Sequence, residues 1–237
     1  LIWLNLFSIN WRFNLADPAT ADSYDQTSLV TFLKEQAGLF RISSAGLLPG
    51  GASAAIVYEL EDITGNTPLR LERFQQFEDR VGSWRRWQLL NVQYVLSRKD
   101  LEGPGLERVY AEAGVRVYRV GDPLPRAWIV HSTVTADDAQ ALELLNSEDF
   151  DLRQRAILAP GKQELALPGN GSPASSSRVL EARPGNLILE VSSEQDGLLV
   201  ISQPFYPGWQ AKVDGRQVPI NRVNFLLQGI GVMAGNH

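Results

Sequence analysis

The chain is expected to be an α+β protein, with a mixed helix and sheet region followed by an antiparallel β-sandwich-like region. Three observations carry this expectation. Apolar residues at helical spacing occur only in the earlier part of the chain, as in Leu29, Val30, Phe32 and Leu33. Short apolar runs at about ten-residue spacing fill the last part, the pattern of a sandwich or barrel. Between two of the late alternating segments stands Asp214-Gly215, a pair suited to a hairpin turn whose two central residues need positive φ.

The elements follow in order. Leu1 to Trp11 is very apolar but is interrupted by Asn5, Ser8 and Asn10 and stops at Arg12, short of the roughly 20 apolar residues of a membrane helix. It fits a buried strand, the tail of an upstream membrane span, or a signal-peptide remnant, although a basic start and a small-residue cleavage site are missing. The sequence is therefore expected to be cut from something longer. Residues 12–26 read as a polar loop. A helix starts at Thr27 or Ser28, runs through Ala37 and ends at Gly38, where the left-handed conformation comes easily. Phe40 to Ser43 reads as a short strand and Gly46 to Gly51 as a surface loop. Helical spacing returns through Leu71, Phe74, Phe77 and Val81, and again through Trp84, Trp87 and Leu90. Val92 to Leu96 then reads as a buried strand. Two strands, Arg108 to Ala111 and Val115 to Val120, flank a turn at Glu112-Ala113-Gly114, and Ala127 to His131 forms another. Thr135, with a carboxylate three residues on at Asp138, is expected to cap a helix through Leu142 and Leu145. Pro168 to Ser177 has a linker's composition. The runs Val179 to Ala182, Leu187 to Val191 and Leu198 to Ser202, and the Trp209 to Ile220 hairpin, complete the sheet-rich part. Pro219 places its strand at an edge. The expected organisation is a membrane-proximal strand and loop (1–26), a mixed α/β region (27–160) and a β-sandwich-like region truncated at its C-terminus (161–237).

Composition narrows the function. The 237 residues are 44% hydrophobic and 21% charged, as in a folded chain and unlike a disordered or collagen-like one. Twenty-two basic against 27 acidic residues give a net charge of -5, which opposes nonspecific binding to nucleic acid or anionic lipid, so no nucleic-acid partner is expected. Without cysteine there is no disulfide, thiolate metal site or cysteine nucleophile. His131 and His237 are the only imidazoles, so any catalysis has to rest on carboxylates.

Chemical motifs are sparse, and no catalytic, cofactor-binding or metal-binding residue is assigned. Glu61-Asp62 and Asp137-Asp138 are adjacent acidic pairs. Neighbours on a strand point apart, and the second pair sits in a helix's first turn, where dipole complementarity accounts for it. His131 lies beside Ser132 without a nucleophile elbow, and neither a Gly-x-Gly-x-x-Gly turn nor a phosphate-binding loop occurs. Asn170-Gly171-Ser172 matches a glycosylation acceptor and is set aside as a three-residue coincidence. Trp84 and Trp87, with Arg80, Arg85 and Arg86, form either a cationic aromatic ledge for a saccharide, a lipid phosphate or a partner, or an amphipathic helix with its tryptophans in the core; the core is favoured. Phe205-Tyr206-Pro207-Gly208-Trp209 is either a stacking platform or a turn delivering Trp209 into a sandwich core, and again the core is favoured.

A family resemblance rests on that last cluster. The stretch Phe205 to Arg216, continuing through Asn224-Phe225 to Gly235-Asn236-His237, resembles the closing segment of the YfhO family of bacterial membrane proteins, with its Tyr-Pro-Gly-Trp turn, Asp-Gly hairpin and Gly-x-His strand. Leu89 to Leu96 is similar to that family's Leu-Asn-Val-Arg-Tyr-Val segment, with Gln93 where arginine is common, and Tyr58 to Gly65 to its upstream loop. The resemblance implies the extracytoplasmic portion of a polytopic protein of the bacterial cytoplasmic membrane, similar to multi-span glycosyltransferases that use lipid-linked sugars. The acidic catalytic residue of such enzymes lies in an early membrane loop, so none is carried over to this sequence.

Three functions follow as expectations. The first is a non-catalytic domain that positions an acceptor or caps a membrane-embedded site, with its own upstream transmembrane region, a cell-envelope saccharide or a polyprenyl-linked sugar as partner. The second is a free-standing carbohydrate-binding or carbohydrate-cleaving protein, whose two carboxylates would stand about 5 to 9.5 Å apart. The third is a structural assembly domain. Trp84, Trp87, Arg85 and Arg86 are the candidate contact residues, and no cofactor is expected.

Overall fold

The structure is a computed structural model that describes residues 24–65, 71–161 and 173–237. The Leu1 to Trp11 readings, the Asn170 acceptor and residues 168–172 of the expected linker lie outside the described residues. Four α-helices are present among the described residues: α1 (Ser28–Lys34), α2 (Glu72–Arg80), α3 (Ser83–Leu89) and α4 (Asp138–Asn146). The first seven strands are β1 (Arg41–Ser43), β2 (Val92–Ser97), β3 (Leu106–Glu112), β4 (Val115–Val120), β5 (Ala127–Val130), β6 (Ser132–Thr135) and β7 (Arg155–Leu158). The others are β8 (Ser175–Arg183), β9 (Asn186–Ser193), β10 (Gly197–Pro204), β11 (Ala211–Val213), β12 (Arg216–Val218), β13 (Asn221–Val223), β14 (Leu227–Val232) and β15 (Gly235–Asn236). The fold is therefore mixed α+β with largely antiparallel sheets, as expected from the sequence. No helix among the described residues is long and apolar enough to cross a membrane.

Local chemistry sets several boundaries. Thr27 caps α1 through its side-chain oxygen; the helix ends at Lys34 with Glu35 as its C-cap, short of the expected Ala37, and Gly38 takes φ +100° in the loop that follows rather than ending the helix. Val81 is extended and breaks α2 from α3 before Gly82. Asn91, at φ 57°, turns the chain from α3 into β2, where the apolar period changes from helix to strand. Ala113-Gly114 and Asp214-Gly215 both take positive φ at their two central positions and close the β3–β4 and β11–β12 hairpins.

Two further expectations are corrected. Thr135 does not cap α4: it ends β6, held opposite Leu158 of β7, and the Ala136 amide still donates to Leu158 O. A residue kept in a ladder cannot open a helix, so the cap passes to Asp137. Asp137 Oδ1 accepts from the Gln140 amide at 2.9 Å, and Gln140 reaches back to the Asp137 amide. Ser175 to Ser177, read as linker, belong to β8. Ladder pairing with β9 and a 2.6 Å bond from Ser177 Oγ to Ala127 O override the flexible composition.

The strands form four sheets. A four-stranded sheet runs β1-β2-β4-β3, with β1 and β2 parallel. A six-stranded sheet runs β5-β10-β14-β13-β7-β6, antiparallel except for β6 and β7, and takes strands from both sides of residue 160. A three-stranded sheet (β15-β9-β8) and the β11–β12 ribbon complete the set.

Strand alternation decides where the cores lie. On β10 the even residues Leu198 and Val200 join Trp128, Val130 and Leu227 in the main core with Phe77, Leu89, Leu142 and Leu145 of the helices. The odd residues Leu199 and Ile201 face the opposite side with Ala127, Ile129, Ile230, Val232 and Val191. A third core packs Leu29, Val30 and Leu33 of α1 on Tyr94, Leu96, Val115 and Val117 of the four-stranded sheet. The middle of β10 is thus buried on both faces, the pattern of a strand shared by two packed layers.

Candidate functional site

The second face of the six-stranded sheet does not close completely. Between it, the β8–β9 hairpin and the β11–β12 ribbon lies a cleft of about 860 Å³, within the usual range for small-ligand sites. Its floor is Leu199 and Ile201 of β10 with Ile230 and Val232 of β14, and β9 contributes Leu187, Leu189 and Val191 opposite. These are period-2 positions on their strands, so the same alternation that builds the main core lines the cleft.

The two ends of the floor are polar, and Gln228 and Val232 mark them on β14, roughly 13 Å apart along the strand. At the Gln228 end stand Glu61, Arg126 and Gln203. Arg126 Nη2 donates to Glu61 Oε2 at 2.7 Å, and Arg41 Nε donates to the same oxygen at 3.1 Å. Arg41 also donates to Ser202 O at 2.7 Å, Leu90 O at 3.1 Å and Gln203 Oε1 at 3.2 Å. Burial, with the charge of Arg126 adding to it, pulls the Arg41 pKa down to about 10, which still leaves it cationic at neutral pH. The end is therefore lined by the Arg126 guanidinium and the Glu61 carboxylate, with the Arg41 guanidinium behind them, and Arg126 Nε is buried without a hydrogen-bond partner.

At the Val232 end, β15 brings His237 onto β9, where its backbone exchanges both hydrogen bonds with Val191. His237 Nδ1 lies 2.8 Å from Asp214 Oδ2 on the β11–β12 turn, and its Nε2 lies 3.0 Å from Met233 O. Both partners are acceptors, so both contacts are hydrogen bonds only when the ring carries two protons. The Asp214 bond first, and the Met233 carbonyl second, raise the His237 pKa above its ordinary value. A raised folded-state pKa contributes stability that is fully present below the unfolded value and lost as pH rises through the folded one. Resistance to unfolding is therefore expected to fall as pH rises through the His237 titration, and this component is expected to shrink in Asp214→Asn, which leaves only the Met233 carbonyl to raise the pKa. Thermal melts across that range check the effect, and an NMR titration placing His237 at or below its unperturbed value would refute it.

The residues singled out from the sequence fall elsewhere. Trp84 and Trp87 are half-buried and pack against the main core. Arg85 donates to Leu145 O at 2.8 Å and Ser147 O at 2.6 Å, tying the end of α4 to α3, while Arg86 bonds Ser83 Oγ. Asp62 accepts from Ser44 and Thr64, Asp137 caps α4, and Asp138 pairs with Arg73 at 2.7 Å and Arg222 at 2.9 Å. The members of both acidic pairs thus have separate structural partners. Among the described residues, no group of three or more histidine, aspartate or glutamate side chains could hold a metal. His131 Nδ1 sits 3.0 Å from Asp196 O, an ordinary strand-end contact. Trp209, expected in the sandwich core, instead lines the cleft and is half-buried, because the Pro207-Gly208 turn leaves it at the rim of the ribbon.

Sequence reasoning missed the cleft and, of its polar groups, singled out Glu61, Asp214, Trp209 and His237 without bringing them together. The signal was available in β10, whose unbroken apolar run from Leu198 to Ile201 has two faces to bury. Comparisons with protein-family models, with curated proteins and with solved structures gave no match.

Proposed function

We propose that this chain is a non-catalytic extracytoplasmic binding domain of a polytopic bacterial membrane protein that handles lipid-linked sugars, and that the cleft is where it holds an acceptor or sugar-bearing ligand. The observation that carries the proposal is a convergence. Four of the segments behind the YfhO resemblance, the Pro207-Gly208-Trp209 turn, the Asp214-Gly215 hairpin, the Gly235-Asn236-His237 strand and Tyr58 to Gly65, each place a residue, Trp209, Asp214, His237 and Glu61, in the lining of this one cleft. An aromatic wall beside polar ends suits a ligand that has both an apolar face and hydroxyl groups. Binding is favoured over acid catalysis because the carboxyls displaced from their ordinary range, Glu112 and Asp138, are displaced downward by hydrogen-bond donors, Ser28 and Arg73 foremost, and neither lines the cleft.

Titrating the 237-residue chain with a cell-envelope oligosaccharide and with a short-chain polyprenyl phosphate tests this. Saturable NMR shifts are expected at the Trp209 indole and at the Val213 and Ile230 amides, and Trp209→Ala is expected to weaken binding about tenfold or more. Shifts centred on Trp84 and Trp87, or none with either ligand at millimolar concentration, would overturn the assignment of the cleft.

A further inference from the structure

At the Gln228 end of the cleft Arg126 and the Gln203 amide offer donors, and Glu61 and the side-chain oxygen of Gln228, whose Nε2 donates to Pro204 O, offer acceptors. Arg126 is buried, its side chain 7% exposed, and it has one anionic partner, Glu61 Oε2, which it shares with Arg41. Arg126 Nε has none. Gln203 already spends its side-chain oxygen on Arg41, so what it has left to offer is its N–H₂ group. A buried, unpaired donor costs stability unless something accepts from it, and two buried guanidinium groups share a single carboxylate, Glu61, whose side chain is 45% exposed, which leaves a net positive charge at this end. Directly beyond them the floor becomes aliphatic at Ile201, Leu199 and Ile230.

We infer that Arg126, backed by Arg41 and Gln203, is an anion subsite at one end of the cleft, and that the ligand class is a compact anion, a carboxylate or a phosphate monoester, on an apolar stem lying along Ile201, Leu199 and Ile230. This rests on the reading of the cleft as a binding site and adds the charge and polarity of its occupant. The depressed pKa of Arg41 agrees, since a second anion would relieve the repulsion from Arg126 that contributes to it. The chain's overall negative charge does not oppose the inference, because the arginines act at contact distance whereas exposed charges beyond about 10 Å are screened. The guanidinium fork is also better suited than an ammonium to a planar carboxylate or to phosphate oxygens.

The test uses the 237-residue chain and three ligands with the same ten-carbon stem, decanoate, decyl phosphate and uncharged decyl glucoside, each kept below its micelle concentration and followed by amide and indole NMR shifts. Both anionic ligands are expected to bind in the cleft about tenfold or more tighter than the glucoside; their relative order identifies carboxylate or phosphate as the preferred head. Arg126→Gln is expected to remove that preference while leaving glucoside binding in place, and Arg126→Lys to restore part of it. Glu61→Gln, which removes the competing carboxylate, is expected to tighten the anions several-fold, the reverse of what a purely structural ion pair would give. If Arg126→Gln fails to fold, the Glu61→Gln result decides. Equal affinity for all three ligands in the cleft would overturn the anion subsite and leave the binding cleft standing. Absence of any binding there would overturn both.

Discussion

Arg41→Ala is expected to lower the free energy of unfolding by about 2–6 kcal/mol, from the two carbonyl oxygens that lose their donor, while the Arg126–Glu61 pair that stays behind is balanced in charge. Arg41 lies in β1, yet its guanidinium reaches the carbonyls of Leu90, before β2, and Ser202, in β10, and the side chains of Glu61 and Gln203. One side chain thus ties the four-stranded sheet to the six-stranded one. Truncation leaves two carbonyl oxygens without that donor and a gap where both sheets meet, and each unsatisfied group costs about 1–3 kcal/mol. Ser202 Oγ still donates to Leu89 O at 2.7 Å, so the damage stays local. Arg41→Lys keeps the charge but cannot reproduce the fork, and is expected to recover less than half of the loss. Urea unfolding of the three proteins gives the answer. A shift below about 1 kcal/mol for the alanine variant would mean that solvent replaces the lost bonds.

Phe225→Ala is expected to cost about 3–5 kcal/mol, the range for emptying an aromatic site in a packed core. Phe225 is 2% exposed, packs in the main core and lies under the Arg73 guanidinium at 4.6 Å. It sits with Asn224 in the turn between β13 and β14, and both have positive φ, 66° and 47°. Asn224 holds the turn in place: its Oδ1 accepts from the Ile157 amide at 2.8 Å, and its own amide donates back to Ile157 O. Left-handed backbone costs an L-residue roughly 1–2 kcal/mol, which glycine does not incur. Phe225→Gly is therefore expected to be no less stable than Phe225→Ala, the reverse of the usual order for a strand or helix position. A glycine variant clearly less stable than the alanine one would show that the turn rearranges once the ring is gone.

The parts of the fold that were legible in the sequence are those specified locally. The Ala113-Gly114 and Asp214-Gly215 hairpins, the α1 cap at Thr27 and the β2 run each carry their signal within a few residues. Misreadings came where distant pairing took over. Thr135 has a capping side chain but is claimed by β7, and Ser175 to Ser177 have a linker's composition but are claimed by β9. β6 and β7 form a parallel pair separated by α4, so neither shows the turn that announces a hairpin. The cleft was illegible for the same reason, since its Gln228 end assembles Arg41, Glu61, Arg126 and Gln203 from four separate stretches of chain. The Trp84 and Trp87 helix was readable in outline: its period places both rings toward the core, as observed.

The six-stranded sheet also determines when this chain can finish folding during synthesis. β5 pairs with β10, with β6 to β9 intervening, and β7 pairs with β13. While the ribosome is still making the residues after 160, Trp128 and Val130 of β5 lack β10 beside them, and Ile157 and Leu158 of β7 have β6 on one side but not yet β13 on the other. The nascent chain carries open sheet edges until β10 and β13 have emerged. Such an edge invites mispairing, so the earlier part of the chain expressed alone is expected to be insoluble and to become soluble when the later part is co-expressed.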